Sequence, residues 1–85
     1  MTYGYVYILR CKDNSLYTGW CVDLEKRLAL HNSGKGAKYT RAKGPCKLVY
    51  YEEISNKSEA LKREIAIKKL SKAKKEDLVR SFNLT

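Results

Sequence analysis

Two strand-like runs separated by a short polar turn occupy the first quarter of the chain. Residues 5–11 are rich in β-branched and aromatic types, residues 12–15 are turn formers, and residues 16–22 repeat the strand composition. This pattern predicts a β-hairpin. Because a chain of 85 residues has room for one modest core, we expect the hairpin to belong to a single domain, taken as residues 1–85.

The length of the turn decides whether Tyr7 and Tyr17 lie on the same face of the hairpin. Side chains alternate between the two faces of a strand, so a two-residue turn would pair Tyr7 with Trp20 and separate the tyrosines. A three-residue turn, Asp13 to Ser15, would pair Tyr7 with Cys21 and bring both tyrosines to one face. Packing alone explains two tyrosines in a hairpin, whereas a shared site requires an odd turn or a bulge.

The rest of the chain reads as three helices and one further strand. In chain order these are a helix capped by Asp23 that ends near Ser33, a strand from Cys46 to Ile54, a helix opened by the capping box Asn56 to Glu59 that ends near Leu70, and a helix capped by Ser71 that ends near Ser81. The order β-β-α-β-α-α predicts an α+β fold, one small sheet covered by helices.

The balance of charges indicates the class of partner. Eighteen Lys and Arg residues against nine Asp and Glu residues leave a net charge of +9, which favours nucleic acid or an anionic membrane surface. The longest apolar run, Tyr3 to Leu9, is too short to span a membrane, and the N-terminus has no secretion signal, so we expect a cytoplasmic protein without a membrane partner. The oligomeric state is left open.

The three cysteines do not indicate a disulfide framework or a zinc site. Cys11, Cys21 and Cys46 are an odd number, they have no C-x-x-C spacing, and His31 is the only histidine in the chain. We expect them to be reduced thiols that pack in the core.

A basic loop is predicted between the first helix and the third strand. Its glycines do not have the spacing of a nucleotide phosphate-binding loop, so no nucleotide cofactor is expected. Contacts to a nucleic-acid backbone are the better interpretation, and they predict weak sequence preference and steep salt dependence. The cations proposed for these contacts are Lys35, Lys38, Arg41 and Lys43.

Glu64 is the first residue that packing does not explain. On a helical wheel it lies nearly opposite Lys62 and Lys69, on the side of Ile67. A carboxylate on a packed face needs a cation partner or a metal ion, and both remain open. A metal role for a single carboxylate implies one hard cation, completed by water and substrate phosphate.

Arg27 and His31 lie one helical turn apart at the margin of the buried face of their helix. An arginine has the planar charged fork that suits phosphoryl oxygens, and a histidine can pass a proton near neutral pH. A tyrosine has an ordinary pKa of about 10, so as a base it needs nearby cations that lower this value. Taken singly, each of these residues has an ordinary structural explanation.

The joint pattern is more specific than its parts. Tyr5-Val6-Tyr7 is followed after nine residues by Tyr17-Thr18-Gly19, then by Arg27 and His31, and on a later helix by Glu64. This arrangement resembles the GIY-YIG nuclease superfamily over almost the whole chain, and it is most similar to the small stand-alone bacterial members. The resemblance implies a small three-stranded antiparallel sheet flanked by helices.

The resemblance also implies roles for these residues and an activity. The implied roles are Tyr7 as general base or water-positioning phenol, Tyr17 as a neighbour that holds the nucleophile or phosphate, Arg27 as stabiliser of the transition state, His31 as a partner in proton handling, Glu64 as ligand of one Mg²⁺ or Mn²⁺ ion, and Tyr39 as a residue that faces the site from the loop. The implied activity is metal-dependent hydrolysis of phosphodiester bonds, mainly in DNA and with RNA as a second substrate, in DNA repair or recombination.

Three positions depart from the pattern of the superfamily. Tyr5 replaces the usual glycine, Thr18 replaces isoleucine or valine, and no asparagine follows the Glu64 helix before Asn83. A catalytically inactive nucleic-acid-binding module is therefore the alternative, and a ribosome-associated factor is a third class. The joint presence of the five candidate residues favours the nuclease, since a pure binder has no use for a carboxylate on an anion-binding face.

Overall fold

The computed structural model describes residues 2–33 and 45–83. Its elements are, in chain order, β1 (Gly4–Arg10), β2 (Leu16–Cys21), α1 (Leu24–Asn32), β3 (Lys47–Ile54), α2 (Lys57–Lys68) and α3 (Lys72–Asn83). The strands form one antiparallel sheet in the order β2-β1-β3. The predicted α+β fold and the order β-β-α-β-α-α are confirmed. Within the described ranges, no helix combines the length and the apolar character that crossing a membrane requires.

The hairpin turn holds three residues, which is the odd number that a site shared by Tyr7 and Tyr17 requires. Cys11 N donates to Ser15 O at 2.9 Å and closes a turn over residues 12–14. Asn14 adopts the left-handed conformation with φ 71°, which asparagine tolerates and which three-residue hairpins require. This turn lies one residue earlier than predicted, so Tyr7 pairs with Gly19 rather than with Cys21 or Trp20.

The two faces of the sheet carry different helices. On one face, Val6 and Ile8 of β1 pack with Ala60 and Ile67 of α2, and α3 completes that layer through Leu78. The opposite face carries Tyr7 and Leu9 of β1, with Leu24 and Leu28 of α1 packed against them. Alternation along β1 therefore sends successive side chains into two separate cores, one under each helical layer.

All three helices begin at the caps that the sequence predicts. The side-chain oxygens of Asp23, Asn56 and Ser71 each accept a hydrogen bond from the backbone N–H three residues further on, at 3.1, 2.9 and 3.2 Å respectively. These bonds satisfy backbone donors that the first helical turn leaves unpaired.

Two bidentate ion pairs join α2 and α3 to the sheet. Arg63 of α2 donates to both carboxylate oxygens of Glu52 on β3, at 2.8 and 2.6 Å. Arg10 of β1 donates to both oxygens of Glu76 on α3, at 2.9 and 2.6 Å. Burial acts to raise the pKa of Glu52, but hydrogen bonds from Arg63 and Tyr50 favour the ionised form and hold it below its ordinary value. The hydrogen bonds from Arg10 hold the pKa of Glu76 below its ordinary value in the same way.

The three cysteines are free thiols buried in the core beneath α1. Cys11 and Cys46 approach each other with their sulfur atoms 3.3 Å apart. Burial and this neighbouring thiol raise the pKa of Cys46 to about 12. The expectation that the cysteines pack in the core is confirmed.

Candidate active site

A hydrogen bond between Tyr7 and His31 lies at the centre of the candidate site. The Tyr7 hydroxyl is 3.0 Å from Nε2 of His31, and the centroids of the two rings are 6.0 Å apart. Tyr7 is 1% exposed and His31 is 3% exposed, so both side chains are enclosed by the protein. It joins β1 to α1 across the core on that face of the sheet.

Helix α1 contributes two residues to this site, of which His31 is buried and Arg27 is exposed. His31 is fully buried, which differs from the predicted position at the margin of the packed face. Arg27, one turn earlier, is exposed, yet its charge lies close enough to oppose the rise in the pKa of Tyr7 and to add to the fall in the pKa of His31, both of which burial causes. The helix therefore supplies a buried imidazole and an exposed guanidinium to the same place.

Burial sets the protonation of both partners in the central hydrogen bond. It raises the pKa of Tyr7 well above the ordinary value, and the lowering by Arg27 is too weak to cancel this effect. Burial, assisted by the Arg27 charge, lowers the pKa of His31. A tyrosine base needs nearby cations that lower its pKa, and Arg27 acts in that direction, but the desolvation of Tyr7 exceeds the effect of Arg27. At neutral pH the site holds a neutral phenol and a neutral imidazole.

Tyr17 and Gly19 complete the arrangement from the edge strand β2. Tyr17 lies on the same face of the sheet as Tyr7, and its ring centroid is 5.3 Å from that of His31. Gly19 pairs directly with Tyr7, and a Cβ atom on Gly19 would lie 2.7 Å from the Tyr7 hydroxyl. Sequence reasoning gave Gly19 no role, although its position in the second triplet was the available signal.

Glu64 belongs to the helical layer on the other face of the sheet. Its helix α2 packs against β2, the edge strand that carries Tyr17 and Gly19. The Glu64 side chain is 18% exposed and lies 3.5 Å from Nζ of Lys68, one turn further on. Tyr7, Tyr17, Arg27 and His31 thus form one cluster, whereas Glu64 pairs with Lys68 of its own helix. The sequence left open whether Glu64 has a cation partner, and the ion pair with Lys68 is present.

The donors available for a metal ion are few. The described residues contain no group of three or more His, Cys, Asp and Glu side chains that could hold one. Glu64 nevertheless fits a hard divalent cation, because Mg²⁺ is commonly bound by one or two carboxylates and otherwise by water and substrate phosphate. Such a site would be weak until the substrate is present.

The predicted nucleic-acid contacts of the basic loop lie outside the described residues. These are Lys35, Lys38, Tyr39, Arg41 and Lys43.

Comparison with known proteins identifies the family. The model of the GIY-YIG catalytic domain matches residues 3–77. The chain belongs to the GIY-YIG family, which implies nuclease activity on nucleic acid and, in general, the use of a divalent metal ion.

Similar proteins are found among the small bacterial proteins called UPF0213. A UPF0213 protein of Clostridium perfringens is 61% identical over 81 residues, which cover 95% of this chain and 87% of that protein. The NMR structure of a UPF0213 protein of Bacillus halodurans is similar with a TM-score of 0.59 and 52% identity, covering 91% of this chain and 82% of that one. The NMR structure of an E. faecalis protein has a TM-score of 0.64 and 41% identity, covering 100% and 94%. The predicted resemblance to the small bacterial branch is confirmed.

Proposed function

We propose that this protein is a metal-dependent endonuclease that hydrolyses phosphodiester bonds in DNA. The observation that carries the proposal is the buried hydrogen bond between the Tyr7 hydroxyl and Nε2 of His31, placed beside the Arg27 guanidinium. Tyrosines that only fill a core do not require a buried histidine partner next to an exposed cation. Hydrolysis needs a proton acceptor for the attacking water and a positive charge for the phosphate, and this cluster supplies both.

Tyr7 and His31 act together on the proton of the attacking water. A free phenolate is disfavoured, because burial raises the pKa of Tyr7. The neutral His31 can accept the phenolic proton at Nε2 while the Tyr7 oxygen receives a proton from water. The water oxygen then forms a bond to phosphorus, the bond to the leaving oxygen breaks, and the leaving oxygen takes a proton from solvent.

Arg27 and Tyr17 hold the phosphate during this reaction. The Arg27 guanidinium is exposed to incoming substrate and can donate two parallel hydrogen bonds to phosphoryl oxygens. Tyr17 lies on the same face as Tyr7 and limits where the phosphate and the water can sit. The positive charge of Arg27 stabilises the negative charge that develops on phosphorus oxygens in the transition state.

Glu64 is the residue that would hold one Mg²⁺ or Mn²⁺ ion. The bound ion would supply positive charge to the phosphate and to the leaving oxygen. Because α2 packs against β2, a phosphate at the β2 edge can be reached from both helical layers. Lys68 currently balances the Glu64 charge, and substrate phosphate would provide Lys68 with another partner.

The surface charge supports nucleic acid as the substrate. A net charge of +9 favours a polyanion, and contacts from Lys35, Lys38, Tyr39, Arg41 and Lys43 to the nucleic-acid backbone remain a prediction. We propose DNA as the main substrate, RNA as a second one, and a role in DNA repair or recombination. The single domain over residues 1–85 and the cytoplasmic location also remain predictions.

A catalytically inactive nucleic-acid-binding module is the second candidate. The ion pair between Glu64 and Lys68 favours it, because it satisfies the carboxylate without a metal ion.

Metal-dependent cleavage distinguishes the two candidates. Purified protein is incubated with supercoiled plasmid and with single-stranded oligonucleotides, in Mg²⁺ or in EDTA, beside Glu64→Ala and Glu59→Ala. Glu59 is an exposed carboxylate on the same helix and serves as the matched control. We expect cleavage by the wild type and by Glu59→Ala in Mg²⁺ only, and its loss in Glu64→Ala. Binding without cleavage by the wild type would establish the second candidate instead.

A further inference from the structure

A groove adjoins the candidate active site between the end of β2 and the outer surface of α1. Its volume is about 580 Å³, which is within the range of pockets that accept small molecules or single nucleotides. It is lined by the apolar residues Trp20, Val22 and Leu30 and by the charged residues Asp23, Lys26 and Arg27. The groove is therefore apolar on some walls and charged on others.

The apolar walls of the groove are exposed to solvent. Val22 is 62% exposed and Leu30 is 41% exposed, and both face solvent without a covering element among the described residues. Trp20 pairs with Val6 and packs on the core under α2, and the ring of Tyr3 stacks on it with centroids 6.0 Å apart. A flat apolar ligand would remove this surface from water.

The charged walls show how such a ligand would be oriented. Lys26 and Arg27 attract an anion, whereas the Asp23 carboxylate repels one. Oδ1 of Asp23 already accepts a hydrogen bond from Lys26 N at the start of α1, and a carboxylate of this kind can also accept one from the ring N–H or the amino group of a base. A ligand with an anionic end and a flat hydrogen-bonding end matches this division, and a nucleotide has both.

Arg27 belongs both to the groove and to the Tyr7 cluster. A phosphate bound at Arg27 for hydrolysis would therefore have an adjoining base within reach of Val22 and Leu30. A base inside a duplex is stacked and paired and cannot enter a side groove without being extruded. The geometry points to an unpaired nucleobase beside the scissile phosphate as the occupant of this groove, so that the substrate is single-stranded at the cleavage site. This inference rests on the proposed nuclease function.

Base-dependent binding tests this inference without cleavage. The chain has one tryptophan, so its fluorescence reports Trp20 directly. Wild-type protein in EDTA is titrated with an oligothymidylate of about ten nucleotides, with an abasic oligonucleotide of equal charge, and with a duplex of equal length. We expect the oligothymidylate to quench the fluorescence and to bind roughly tenfold more tightly than the abasic strand or the duplex.

Two exposed leucines provide matched variants. Leu30→Ser should weaken binding of oligothymidylate by about fivefold and leave binding of the abasic strand unchanged, because only apolar contact to the base is lost. Leu61 is 40% exposed on α2, outside the groove, so Leu61→Ser should change neither affinity.

The outcomes separate this inference from the proposed function. Equal binding of the three ligands, or no binding of any, overturns the groove as a base site even if the protein cleaves plasmid. Base-dependent binding that is sensitive to Leu30→Ser supports the groove even if no cleavage occurs in Mg²⁺.

Discussion

Substitution of Gly19 by alanine adds a single methyl group beside Tyr7, and it should reduce the cleavage rate as well as the stability of the fold. A Cβ atom there would lie 2.7 Å from the Tyr7 hydroxyl oxygen and 2.9 Å from Cζ of the same ring. Comfortable separations between such atoms are about 3.5 Å or more, so one partner has to move by roughly 0.6 to 0.8 Å. Tyr7 is enclosed in the core, and its ring therefore cannot swing into solvent.

The displacement of Tyr7 should affect both stability and catalysis. Overpacking of this kind destabilises a core by about 1–3 kcal/mol, and a misplacement near 1 Å in an active site can reduce the rate by roughly 100-fold. We expect Gly19→Ala to lower the free energy of unfolding in urea by that amount. We also expect the folded variant to cleave plasmid about 100 times more slowly than the wild type.

Gly4→Ala is the matched control for this substitution. A Cβ atom on Gly4 would lie 2.6 Å from the backbone oxygen of Cys21, so the strain on the sheet is similar, but neither tyrosine is among its three nearest atoms. Gly4→Ala should lose stability and keep its cleavage rate per folded molecule. A Gly19→Ala protein with wild-type stability and wild-type cleavage would refute the reasoning.

Three further substitutions test separate parts of the structure. Thr18→Val should raise the free energy of unfolding by about 1 kcal/mol, because the buried Thr18 hydroxyl has no hydrogen-bond partner among the described residues; destabilisation by that amount would reveal a partner. Burial lowers the pKa of His31, so the free energy of unfolding should decrease as pH falls below about 6.5, where only the unfolded chain takes up the proton, and His31→Gln should abolish this dependence. Arg63→Met should cost about 1–3 kcal/mol in urea titrations at neutral pH, because Glu52 loses two hydrogen bonds. Since the folded-state pKa of Glu52 is lowered, that loss should shrink as pH falls below about 4.3, and a constant loss would contradict the pair.

Local signals in the sequence were sufficient for the secondary structure. The caps at Asp23, Asn56 and Ser71 act through backbone groups three residues away, so their effect is visible in a short window. The parity of the hairpin turn also followed from the need to place two tyrosines on one face. Its register did not, because the left-handed conformation of Asn14 moves the turn by one residue.

Depth of burial and contacts between distant residues were not visible in the sequence. The pair Glu52 and Arg63 depends on how α2 lies on the sheet, which no local pattern encodes. The pKa of Tyr7 depends on a balance between desolvation and the Arg27 charge, and only the structure gives the depth of the ring. The partner of Glu64 was foreseeable at four residues' spacing, since Lys68 follows on the same helix face.

The rate of plasmid cleavage by Tyr7→Phe tests the central claim most directly. Phenylalanine keeps the ring in the core and removes only the hydroxyl group that bonds to His31. With protein in excess over substrate and Mg²⁺ present, we predict a cleavage rate at least about 100-fold below that of the wild type, with unchanged affinity for DNA. Cleavage at the wild-type rate by a folded Tyr7→Phe protein would contradict the account.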